Sequence, residues 1–254
     1  MAEVKPRANP ALETGDIYFL DRPVVDAEEV HGLEDVRRFF IVLKPWRPPR
    51  YRLIVVGRKR LPDPREHNRF WAFVWRVLRD RAALNAELGE EEYATKTRGI
   101  RKVPAARPAA EGIYAIVRHG DHTHLAYALE LPTREGPAER ELNIRREASY
   151  IIAVRNPESP RPPAAGAGPK QPARFPPELQ RKFAGRRFVP VDPPDFLDCE
   201  GAELVLIGAE ENPEQELGLE FVPDREDEHT ADVLRDLALP REVVREPLFE
   251  GAWK

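Results

Sequence analysis

Ile113-Tyr-Ala-Ile-Val-Arg-His119 and His122-Thr-His-Leu-Ala-Tyr-Ala-Leu129, separated by Gly120-Asp121, decide how this chain is read. Both runs alternate in the β manner, and a two-residue Gly-Asp loop is the kind that closes a tight hairpin. The turn sets the register. His119 falls opposite His122, Val117 opposite His124, Ala115 opposite Ala126 and Ile113 opposite Ala128, all on one side. Tyr114, Ile116, Leu125, Tyr127 and Leu129 share the other side, which is the better candidate for the main core.

Working outward, Asp16–Leu20 reads as a first strand stopped at Asp21-Arg22-Pro23. Arg37–Leu43 and Tyr51–Gly57 are strand-like runs, joined by a loop whose prolines cannot donate ladder bonds, and are expected to pair antiparallel. Both are apolar on both faces, so one face is expected on a helix and the other on a second layer. Asp63, Pro64 and Glu66 have the spacing of a capped helix start. Phe70, Phe73, Val74, Val77 and Leu78 then form one helical stripe, with Trp71 and Trp75 four apart on its flank. Arg81–Leu88 is a second helical piece ending at Gly89, a suitable left-handed cap. Strands are expected at Glu92–Arg98 and Ser149–Arg155.

From Asn156 to Ala173 the chain turns rich in Pro, Ala and Gly without apolar periodicity. Beyond it come a short helix at Pro176–Phe183 capped by Gly185, strands at Arg187–Val191 and Glu203–Ile207, and an amphipathic helix at Glu228–Leu239. The expected fold class is α+β: a largely antiparallel β-sheet with a capped amphipathic helix packed on it and a smaller β-containing C-terminal part. The expected division is a main sheet-and-helix domain over 1–155, a linker or loop over 156–174, and an acidic α+β part over 175–254.

Cys199 is the only cysteine of the 254 residues, so no intrachain disulfide and no thiolate pair for zinc can form. With no secretory leader and no apolar run of membrane length, a cytoplasmic protein is expected. The net charge of -4 hides an asymmetry: 44–81 is strongly basic, whereas 195–254 carries an excess of about a dozen acidic charges. Docking of the acidic part on the basic one is favoured over binding of an external polyanion, because no nucleic-acid motif accompanies the charge. Nucleic acid is therefore not an expected partner.

His119, His122 and His124 on one face offer a three-imidazole geometry similar to the ligand arrangement of carbonic-anhydrase-type sheets. That arrangement makes a metal-dependent hydrolase or lyase, with zinc, the alternative reading, although no fourth ligand or general base is legible. Ile116-Val-Arg-His-Gly120 resembles the nucleophile motif of histidine phosphatases. There, however, it lies near the start of an α/β domain and leads into a helix, and the partner here would have to be His229. Acidic neighbours of Cys199 push a thiol pKa up, away from nucleophilic use. No P-loop, dinucleotide fingerprint, nucleophile elbow or zincin helix is present. The chain therefore leans away from an enzyme.

Gly15–Phe19 (GDIYF), Val36–Pro45 (VRRFFIVLKP), Tyr51–Pro62 (YRLIVVGRKRLP), Thr95–Gly99 (TKTRG) and Tyr114–Pro132 together resemble a group of uncharacterised bacterial proteins. That group is similar to the peptide-binding proteins of crocagin-type ribosomal peptide maturation. The resemblance implies a non-enzymatic protein, without cofactor, that presents a precursor peptide to a peptide-modifying enzyme in antibiotic biosynthesis. It transfers no binding residue. On the residues alone, Trp71, Trp75, Arg58 and Arg60 are the candidate peptide contacts, Trp46 is a further anchor, and Phe188–Val191 or Asp16–Leu20 is the expected free edge.

Overall fold

The hairpin forms in the expected register, with His119 paired to His122, Val117 to His124, Ala115 to Ala126 and Ile113 to Ala128. In the computed structural model, which describes residues 2–97, 99–162, 168–237, 239, 244 and 246–253, it is one part of a larger sheet. Arg98 of the expected 92–98 strand, 163–167 of the 156–174 stretch and Ala238 of the expected last helix lie outside the described residues.

In chain order the elements are β1 (Glu3–Pro6), β2 (Ala11–Pro23), β3 (Val36–Pro45), β4 (Tyr51–Val56), β5 (Arg69–Leu78), α1 (Arg81–Leu88), β6 (Glu91–Thr95), β7 (Gly99–Val103), β8 (Arg107–His119) and β9 (His122–Leu131). There follow α2 (Pro137–Leu142), β10 (Glu147–Arg155), α3 (Pro177–Lys182), β11 (Phe188–Pro190), β12 (Glu203–Glu210), α4 (Pro213–Leu217), β13 (Leu219–Val222) and α5 (Asp232–Asp236). Eight strands of the described residues run in the order β10-β12-β5-β4-β3-β2-β8-β9, every pair antiparallel, and β9 returns to β10 to close a barrel. The expectation of a helix packed on an open sheet is thus corrected to a closed, mostly β barrel. β12 comes from beyond residue 174 and lies between β10 and β5.

The difference lies at 63–78, where a strand replaces the expected helix. The Asp63 carboxylate accepts a hydrogen bond from Arg65 N at 2.9 Å and closes a turn, and His67 leaves it with φ +50, so the cap-like signal starts no helix. Phe70–Leu78 fits both periods on paper: Phe70, Ala72 and Val74 face the core as a strand, and its aromatic and β-branched composition suits a pleated surface. Pairing with β4 on one side and β12 on the other decides between them.

Alternation separates the two faces of the barrel wall. Ile17 and Phe19 of β2, Phe39 and Ile41 of β3, Tyr114 and Ile116 of β8, Leu125 and Tyr127 of β9 and Tyr150 of β10 point inward into one core. Phe19 meets Tyr127 edge-on at 4.9 Å and stacks on Phe39 at 6.2 Å, so large side chains fill the middle. Outside, Tyr18, Leu20, Phe40, Val42, Leu53 and Val55 are covered by α1 and the C-terminal segment, while the Ala115/Ala126/Ala128 face is covered by β1, α4 and β13.

Closure requires the wall to bend where strands approach closely. A Cβ on Gly112 would press on the Ala128 carbonyl oxygen and lie 2.7 Å from Leu129 Cα, at the point where the β8–β9 register shifts. Gly112→Val is expected to lower unfolding stability by about 3 kcal/mol, read from urea midpoints, because the obstruction is backbone and has no rotamer to yield.

Part of the basic stretch is met by acids of the C-terminal part. Lys44 pairs with Asp236 at 2.5 Å, Arg52 with Asp198 at 2.7 Å, Arg65 with Glu211 at 3.4 Å and Arg76 with Glu200 at 3.7 Å. Those cations are engaged by the chain's own acids, which supports the intramolecular reading. No helix among the described residues is long and apolar enough to cross a membrane.

Candidate functional site

Three places on the outer layers of the barrel gather polar chemistry, the third of them neutralised from within. The first is on β2, β3 and β5. Arg22 and Arg38 are direct partners across β2 and β3, and a like-charged pair in that position is unfavourable unless something compensates it. The register of β5 shifts against β4 between Leu53–Arg76 and Ile54–Val74, which leaves Trp75 as the extra residue of a bulge. The bulge sets Trp75 beside Phe73, with ring centroids 6.1 Å apart. The Arg38 guanidinium lies 4.4 Å from the Trp75 ring centroid and that of Arg76 lies 5.2 Å away.

Arg22, Arg38 and Trp75, together with Arg37, Phe40, Leu53, Glu87 and Glu91, line a cleft of about 180 Å³. Arg22 is only 4% exposed. Its Nη2 donates to the Glu87 and Gly89 carbonyl oxygens at 2.6 and 3.3 Å, at the end of α1, while its Nε is buried and meets no acceptor. Gly89 itself has φ -65, so this end of α1 closes without the expected left-handed residue. Burial holds the Arg22 and Arg38 pKa values below the ordinary arginine value, with repulsion from the neighbouring arginines adding to it and Glu91, whose Oε1 lies 4.0 Å from Arg22 Nη1, opposing it. Burial works to raise the Glu87 pKa but is outweighed by hydrogen bonds from Arg76 Nε at 2.8 Å and Trp75 Nε1 at 3.2 Å, so it stays an anion. Among the described residues no hydrogen bond or ion pair ties Arg37 or Arg38.

A larger depression of about 490 Å³ opens on the other side of Trp75, lined by Phe73, Arg76, Lys170, Arg174 and Gly201 among others. Cys199 also lines it, and burial followed by Asp198, Asp195 and Glu178 pushes its thiol up to about 11, the direction its acidic neighbours led us to expect.

The other sequence candidates lie elsewhere. Trp71 is half-buried and packs on Phe188 at 5.9 Å. Arg58 and Arg60 are exposed in the β4–β5 connection, Arg58 lying 5.5 Å over Phe70 at the opposite end of β5 from Trp75. Trp46 is held by its indole N–H donating to Asp16 Oδ1 at 2.6 Å. Asp16–Leu20 is no edge, being paired to β3 and β8 at once, whereas β11 pairs with β10 alone. Neither Arg22, Arg37 nor Arg38 stood out in the sequence; the visible signal was an arginine at the end of one strand and two at the start of the next.

The second place is the histidine face. His119 and His124 lie with ring centroids 5.6 Å apart, and the third group beside them is Glu216 of α4. His122 is drawn aside to Asp121 at 3.2 Å and is exposed. The three histidines share a face as expected, but only two of them converge. His124 is 2% exposed, and burial followed by His119 and His122 holds its pKa at about 4, so its ring is neutral. Arg118-His119-Gly120 runs straight into β9, and His229 sits in a turn hydrogen-bonded to Asp227, so the phosphatase-like motif gains no partner from it.

Comparison with protein-family models, curated proteins and solved structures finds no match. The chemistry of the two sites therefore carries the functional reading. A third gathering, Asp16, Asp232 and Asp236, is neutralised from within: Lys44 reaches Asp16 at 2.9 Å and Asp236 at 2.5 Å, and Tyr18 donates to Asp236 at 2.7 Å.

Proposed function

We propose that this protein is a non-enzymatic binding protein that holds an acidic peptide across Trp75, with a carboxylate of the peptide seated between Arg38, Arg37 and Arg22. The observation that carries the reading is the guanidinium of Arg38, stacked on an indole at 4.4 Å, free of any ion pair among the described residues, and opposite a buried arginine with an unsatisfied Nε. A guanidinium so placed supplies a charge-assisted, two-point contact to a planar carboxylate. An indole offers an apolar wall to the residues on either side of that carboxylate, and Trp75 borders both depressions, so a chain longer than one residue has somewhere to lie. The barrel staves are paired on both sides and the free edge of β11 is only three residues long, which favours a side-chain cleft over strand addition as the mode of capture. The precursor of a ribosomally made natural product, presented to a modifying enzyme, is the peptide this role suits.

Calorimetric titration with hexaglutamate and hexaglutamine tests the reading. Hexaglutamate is expected to bind and hexaglutamine not, and Arg38→Gln is expected to weaken the affinity at least tenfold, from loss of a charge-assisted contact worth about 1.5–3 kcal/mol. Equal binding of the two peptides, or none of either, overturns it.

A further inference from the structure

Independently of the arginine cleft, we infer that His119, His124 and Glu216 form a binding site for one divalent transition-metal ion, with zinc as the fitting example. Their ligand atoms all lie within 4.8 Å of one another. The decisive feature is the buried ring nitrogen of His124. Its Nδ1 has no hydrogen-bond partner, and the nearest carboxylate oxygen, Glu216 Oε2, stands 4.0 Å away. That gap is too long for a hydrogen bond, and a buried polar atom left alone is costly. It is a distance that a cation spans: two ligands each about 2.1 Å from zinc sit about 3.4 Å apart in a tetrahedral site, so closing on the ion needs only a small inward movement.

The surroundings fit the same reading. Glu216 is oriented by Ser149, whose hydroxyl donates to the same Oε2 at 3.0 Å, the kind of outer contact that fixes a metal-binding carboxylate. Each ligand comes from a different rigid element: β8, β9 and α4, the last preceded by Asn212, whose side chain accepts from Gln215 N at 3.2 Å. Imidazole nitrogens with one carboxylate suit zinc and its first-row neighbours, and are a poor match for calcium or magnesium, which prefer all-oxygen shells. Three protein ligands leave a fourth position on the solvent side of the partly exposed His119. Because two ligands belong to the barrel wall and one to the α4–β13 cover, a bound ion would also fasten that cover down.

The test uses the full chain with cobalt(II) alone as an optical probe, followed by displacement with zinc. One equivalent of cobalt is expected to give visible d–d absorption that zinc abolishes, and zinc is expected to raise the melting temperature, reversed by a chelator. His119→Ala and Glu216→Gln are expected to weaken cobalt binding at least tenfold while leaving the folded far-ultraviolet spectrum intact; both positions lie near the surface, so loss of binding is not confounded with loss of fold. His122→Ala is expected to leave binding within a factor of two. Absence of stoichiometric binding by the parent protein, or a cobalt site that survives His119→Ala and Glu216→Gln but not His122→Ala, overturns the assignment.

Discussion

The urea concentration needed to unfold this protein is expected to fall as the pH is raised from 5 to 8.5. The acidic C-terminal segment docks on the barrel through carboxyl groups that burial keeps protonated. Glu111 of β8 accepts from Val233 N at 2.7 Å, and burial, then the adjacent Glu226, raises its pKa well above the ordinary glutamate value. Glu130 of β9 accepts from Asp224 N at 2.7 Å and is pushed up to about 8, chiefly by burial, while burial and Glu226 push Asp232 up to about 7. Asp16, Asp236, Lys44 and Arg235 complete the charged surroundings.

In each raised group the folded chain binds its proton more tightly than the unfolded chain does, so stability falls with pH between the two pKa values. The contribution is whole below about pH 4, where both states are protonated, and is lost as the pH climbs towards 8. One such carboxyl gives a slope of about 1.4 kcal/mol per pH unit, so the set amounts to a few kcal/mol. Groups shifted downward act in the opposite sense: Asp236 and Asp63 do so below pH 4, outside that interval, while His124, held at about 4, does so up to about pH 6.5 and there offsets one of the raised carboxyls, leaving the net fall to the others. Glu130→Gln and Glu111→Gln keep the acceptor oxygen and are expected to flatten the pH profile of the urea midpoint. A midpoint that is level or rises over this range contradicts the described docking.

Arg52→Ala is expected to cost about 3–5 kcal/mol, the penalty for stranding buried charges. Arg52 is inward-facing on β4 and almost fully buried, donating through Nη1 to Glu13 at 2.5 Å and through Nε to Asp198 at 2.7 Å. Tyr114 also donates to Glu13, at 2.8 Å, and Arg50 to Asp198. The cluster closes one end of the barrel by tying β2, β4 and β8 to the Pro194–Asp198 turn. Arg52→Met combined with Glu13→Gln is expected to recover more than half of the loss in thermal melts, because removing both charges leaves less unpaired. A single variant as stable as the parent would mean that this end of the barrel is not closed by the pair.

The hairpin, the β3–β4 pair, β10 and β12 were legible because their alternation and turn residues are local properties. Closure was not, because it depends on β12 meeting β5 across more than 100 residues and on β9 meeting β10 beyond the intervening α2, pairings that local alternation does not specify. At 63–78 a cap-like Asp and a stripe compatible with both periods pointed to a helix, and only long-range pairing selects the strand. The expected helix over 228–239 is the single turn of α5, where Ala231, Val233 and Leu237 still face the core.

The sites divided in the same way. The shared histidine face follows from a two-residue turn, yet Glu216 joins it from 92 residues beyond His124, and His122 leaves it for its neighbour Asp121. Trp75 was visible as an aromatic and invisible as a bulge. Arg22 and Arg38 become a pair only when β2 and β3 are in register, with Trp75 delivered by a different strand.

Nuclear magnetic resonance of the Trp75 indole N–H tests the peptide cleft most directly, since this proton sits between Glu87 and the stacked arginines. On titration with hexaglutamate, the account predicts a saturable shift of the Trp75 indole resonance, with those of Trp46 and Trp71 unmoved, and its disappearance in Arg38→Gln. A shift confined to Trp46 or Trp71, or an unmoved Trp75 while the peptide binds, would contradict it.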